Sequence, residues 1–89
     1  MNINLKTISI MIYYVISSDF FKDRPYLRVA YDYDTVNVKL KMVGYSYFSD
    51  WKDSSLFQSE EEAREVINTN NPRGENLKLI KITINFEEV

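Results

Sequence analysis

The clearest signal along the chain is the alternation of apolar and polar positions. In residues 8–17 both alternating sets contain apolar residues: Ile8, Ile10, Ile12, Tyr14 and Ile16 on one side, Met11, Tyr13 and Val15 on the other. That pattern predicts a central strand covered on both faces. The polar run "SSDFFKDRP" ends it. "YLRVAYDY" resumes alternation, with Leu27, Val29, Tyr31 and Tyr33 opposite Tyr26, Arg28, Ala30 and Asp32. "TVNVKLKM" predicts a further strand, with Val36, Val38, Leu40 and Met42 facing in and Thr35, Asn37, Lys39 and Lys41 facing out. The aspartates around Tyr33 predict a tight turn that makes these two segments a hairpin.

The period changes once. In "SEEEAREVINTN" Ser59 stands at a cap position, Glu62 completes a capping box, and Glu60 and Glu61 lie where a helix dipole favours negative charge. Ala63, Val66 and Ile67 form the apolar stripe of this helix, and "NNPRG" ends it. A last strand, "NLKLIKITINF", is expected to bury Ile80, Ile82, Ile84 and Phe86. The predicted fold is α+β in the order β-β-β-α-β, a mainly antiparallel sheet of about four strands with one short helix on one face.

A helix of about nine residues is about 14 Å long, shorter than the sheet it must cover. Its small apolar stripe leaves area open. Tyr45, Tyr47, Phe48, Trp51, Leu56 and Phe57 precede it directly and are expected to complete the core, each large ring removing about 150–250 Å² from water.

Composition narrows the class. With 89 residues and no cysteine the chain reads as a single domain, residues 1–89, without disulfide staples. Residues 1–10 are expected to extend the first strand, with Met11 as an alternative start. The apolar run after Lys6 is β-branched and tyrosine-rich, unlike a signal peptide, and is too short for a bilayer, which takes about 20 residues. A cytoplasmic location and no membrane partner are therefore expected. A net charge of −2 signals neither a nucleic-acid coat nor a dense acidic surface.

The sequence has no histidine and no cysteine, which removes the imidazole base, the thiolate nucleophile and the zinc cage. Gly44 and Gly74 are isolated, so there is no phosphate-cradling loop. Asp50, Asp53 and Glu60 match no calcium-loop spacing. A non-enzymatic chain without cofactor or metal is the expectation. Interfaces favour aromatic anchors, so the candidate partner-binding residues are Tyr47, Asp50, Trp51, Asp53, Glu61 and Glu65. The alternative is a nucleic-acid or nucleotide-binding face of Tyr26, Arg28, Lys39, Lys41 and Lys81, joined by Thr83 and Asn85.

"MIYYVISSD", then "WKDSSLFQSEEEAREVI" and a closing "LKLIKITI", resemble a pattern in small uncharacterised proteins of bacteriophages and prophages. The likeness runs in element order from Met11 to Phe86, and its local signature is Phe57, Ser59, Glu62 and Ala63. It implies a phage accessory protein, a class that includes inhibitors of host defence such as anti-CRISPR proteins. The expected partner is a host protein, a defence factor, blocked by occlusion. A homodimer is also expected, because the single helix covers one face of the first strand and leaves Met11, Tyr13 and Val15 to other cover.

Overall fold

The structure, a computed structural model, describes residues 8–69, 71 and 74–88. Its elements are β1 (Ile8–Ser18), β2 (Tyr26–Asp34), β3 (Lys39–Phe48), a 3-10 turn (Trp51–Asp53), α1 (Glu60–Thr69) and β4 (Leu77–Glu87). The strands form a four-stranded sheet in the order β3-β2-β1-β4, antiparallel throughout. The predicted α+β order is therefore present. Residues 1–7 of the expected strand extension lie outside the described residues, and residues 8–10 belong to β1.

Pairing within the sheet is uneven. β1 and β4 pair from Ile8 opposite Glu87 to Ser18 opposite Leu77, and β2 and β3 from Tyr26 opposite Phe48 to Asp34 opposite Lys39. The central strands β1 and β2 meet at Ser17 opposite Tyr26, beside a 2.7 Å bond from the Ser18 N–H to the Pro25 carbonyl. The sheet is thus two ribbons joined at one end and splayed at the other. Residues 55–57 wedge the opening. Tyr14 and Phe57 exchange backbone bonds of 2.8 and 2.9 Å, and the Ser55 N–H donates to the Leu27 carbonyl at 3.2 Å. Ser55 Oγ accepts the Val29 N–H at 2.9 Å. The wedge thereby satisfies backbone groups that the splaying of β1 from β2 leaves without a ladder partner.

The helix sits over the joint. Ser59 Oγ accepts the Glu62 N–H at 3.2 Å, the cap predicted from sequence, and Arg64 pairs with Glu60 at 2.8 Å one turn back. Ala63 and Val66 are buried against Ile16, Leu27 and Val29, with Tyr14, Met42, Tyr45, Tyr47, Phe57, Ile67, Leu77 and Leu79 packed around them. Tyr45, Tyr47 and Phe57 complete the core as the area argument requires. Leu56 does not, being exposed, and Phe48 and Trp51 are half-buried outside this cluster.

Three expectations about facing are corrected. Residues 35–38 form the hairpin turn, because the Asp34 carboxylate accepts the N–H groups of Val36 and Asn37 at 3.0 and 3.1 Å and holds the reversal there. Val36, Val38 and Leu40 are exposed, and of the predicted inward set Met42 alone packs on the core. A bulge at Ala30 and Tyr31, with Ala30 opposite Gly44 and Tyr31 opposite Met42, changes the phase of β3 so that Tyr45 and Met42 share the helix face.

β4 is turned over relative to expectation. Leu77 and Leu79 face the helix, since Leu79 lies opposite Ile16. Ile80, Ile82, Ile84 and Phe86 share the other face with Val15, Tyr13, Met11 and Ser9, their register partners. The ten-residue helix reaches only the inner end of β4, so the alternation beyond Ile80 says nothing about which face it covers. β1 is not covered along its length either: Val15 and Ile16 are fully buried, but Ile8 and Ile10 are 65% and 59% exposed. The outer ribbon projects from the body. The radius of gyration is 17.1 Å, against about 12 Å for a compact chain of this length.

Candidate functional site

The splay of the sheet leaves a groove between the β2–β3 hairpin and α1. The hairpin supplies Tyr31, Leu40 and Met42, the wedge supplies Phe57, and the helix supplies Glu62, Glu65, Val66 and Thr69. Lys39 and Lys41 border it along β3, although their strand positions fall on the other face of the hairpin, and the volume is about 660 Å³. The β-bulge builds this site: by shifting β3 it puts Leu40 and Met42 beside Tyr33 and Tyr31 on the helix side. The helix stripe then leaves Val66 as apolar floor, while Glu62 and Glu65 rise one turn apart at the rim.

The electrostatics follow from that placement. Burial, and then the Glu62 and Glu65 carboxylates, push the Tyr31 phenol above the ordinary tyrosine range. All of these effects favour the protonated phenol, the form that can donate a hydrogen bond. Tyr45 behind it is raised by burial, then by Glu75 and Tyr31. The hairpin lysines are partly offset, since Lys41 and Lys39 lie directly opposite Asp32 and Asp34. The helix side of the groove keeps a negative bias, and its floor is apolar.

The predicted partner-binding residues scatter. Glu65 lines the groove; Tyr47, Asp50, Trp51, Asp53 and Glu61 do not. Tyr47 is half-buried, stacked on Phe20 at 5.7 Å and edge-on to Phe21 at 5.0 Å, with its phenol donating to Glu75. The segment with Phe20 and Phe21 thus closes over Tyr47. Asp50 caps the 3-10 turn by accepting the Lys52 N–H at 2.9 Å. Asp53 is exposed in that turn, and Glu61 lies on the solvent side of α1 beside Glu60, Arg64 and Asn68.

The alternative basic face divides between the two sides of the sheet. Tyr26, Arg28, Lys39 and Lys41 lie on the side away from the helix, with the Arg28 guanidinium 5.9 Å from the Phe48 ring. Lys81, Thr83 and Asn85 lie on the helix side, opposite Tyr14, Ile12 and Ile10. The reversed phase of β4 is the cause. Sequence reading missed Tyr31, Met42 and Glu62 as groove residues, since only the bulge and the helix position bring them together. Among the described residues no group of His, Cys, Asp or Glu side chains is arranged to hold a metal ion. No described helix is long and apolar enough to cross a membrane. No protein-family profile, no curated protein and no solved structure matches this chain.

Proposed function

We propose that this chain is a non-enzymatic binding protein that occludes a partner protein by seating one of its segments between the β2–β3 hairpin and α1. The observation that carries this reading is the open apolar floor of Leu40, Met42, Phe57 and Val66 beside the Glu62 and Glu65 carboxylates. An apolar side chain flanked by lysine or arginine complements such a site, with the carboxylates steering its approach. The absence of histidine and cysteine supports a binding rather than a catalytic use of the groove. The phage-like sequence pattern supports a host protein as partner, a defence factor inhibited in the host cytoplasm.

The test is affinity capture from bacterial lysate with the native chain and with a Glu62→Lys/Glu65→Lys variant whose circular dichroism matches it. The native chain should retain a defined protein that the variant loses, and added salt should weaken its capture. If both chains retain the same proteins, or the native chain retains none, the groove is not a protein-binding site and the reading fails.

A further inference from the structure

The inner edge of β1 is an unprotected sheet edge. Tyr14 turns its N–H and C=O toward the wedge, bonding Phe57 at 2.8 and 2.9 Å, and Ser18 turns its N–H toward Pro25. Backbone groups in an antiparallel strand point to alternate sides, so those of Ile12, Ile10 and Ile8 also point away from β4. Beyond Tyr14 the wedge has ended and β2 has diverged, and among the described residues nothing pairs with them. Their side chains are 41%, 59% and 65% exposed, and Met11 and Phe86 on the other face of the ribbon are 41% and 49% exposed.

The outer edges of the sheet are built differently. β4 carries Lys78, Lys81 and Glu87, and β3 carries Lys39 and Lys41. Charges of this kind, lysine above all, keep an edge from pairing with its own copy. β1 has no charged residue anywhere along its length.

We propose that two copies of this chain pair through the inner edges of β1, antiparallel about a two-fold axis at Ile10. Ile8 then lies opposite Ile12 of the second copy, and the ladder uses the backbone groups of Ile8, Ile10 and Ile12. Apolar β-branched side chains meet across it with no charge to repel. A two-fold operation on one strand is self-complementary, which is the form most homodimers take. Fully exposed isoleucine side chains offer on the order of 150 Å² each, so the exposed fractions of Ile8, Ile10 and Ile12 amount to roughly 250 Å² per copy. Two copies supply about half of the roughly 1,000 Å² of a specific interface from these side chains, and the paired backbone and the flank of Met11 add to it. The pairing is independent of the groove and of what the groove holds.

Sedimentation of the native chain at micromolar concentration should show a dimer. Ile10→Cys should form a disulfide dimer under mild oxidation by diamide, because a hydrogen-bonded antiparallel pair holds its Cα atoms about 5.5 Å apart, within disulfide range. The chain has no other cysteine to compete. Val36→Cys, at the exposed hairpin tip, should stay uncrosslinked. Ile12→Lys should give a monomer; if that variant does not fold, the cross-link still decides. A monomeric native chain overturns the proposal. So does cross-linking at Val36→Cys but not at Ile10→Cys, or a dimer that Phe86→Lys dissociates and Ile12→Lys does not, which would place the contact on the sheet face.

Discussion

The Glu75 carboxylate accepts the Ser18 hydroxyl at 2.7 Å and the Tyr47 phenol, so one side chain ties β1 to β3 across the joint of the ribbons. Asn71 positions it: its Oδ1 accepts the Glu75 N–H at 2.9 Å and its Nδ2 donates to the Glu75 carbonyl at 2.7 Å. Ser18 is buried, so losing its acceptor leaves a hydroxyl without water to replace it. Glu75→Ala should cost about 1–3 kcal/mol in urea denaturation, and Glu75→Gln less, since its amide oxygen can still accept. A second residue works against the fold. Val38 closes the hairpin turn at φ 53°, a left-handed conformation that crowds a β-branched side chain. It is 71% exposed and has no packing to lose, so Val38→Gly should raise stability by about 0.5–1 kcal/mol, read as a higher melting temperature.

At the level of elements, burial is concentrated where the short helix lies. Ile16 is fully buried under α1, whereas Val36, apolar in the same period-two manner, is 87% exposed in the turn. Ile16→Ala should cost about 2–5 kcal/mol through lost burial and a cavity, and Val36→Ala less than about 0.5 kcal/mol, both measured by denaturation. Equal effects would mean that residues 35–38 pack as a strand after all. The helix itself was legible from Ser59, Glu62, Ala63 and Val66, because capping and stripe are local. The turn was not, because Val36 and Val38 continue the alternation of β3 and only the Asp34 hydrogen bonds show where the chain reverses.

On the scale of the whole molecule, extents of 62 × 36 × 18 Å and a surface of 6936 Å² exceed the roughly 5,500 Å² expected of a compact chain of this mass. The excess surface belongs to shape, since the two ribbons stand apart instead of closing over one core. By itself the sequence determined what rests on neighbours in the chain: strand and helix periods, the cap at Ser59, the aromatic completion of the core by Tyr45, Tyr47 and Phe57, and the missing catalytic residue types. Tertiary structure decided the rest. Whether Ile82 or Lys81 faces the helix depends on register with β1, and a one-residue change of phase reverses every side chain on the strand. The bulge opposite Ala30 and Tyr31 belongs to the pairing of β2 with β3, while the Ser55 to Phe57 wedge and the edge at Ile8, Ile10 and Ile12, which no described residue pairs, exist because β1 and β2 meet at one end and part. That parting is a property of long-range pairing, which alternation along a single strand does not encode.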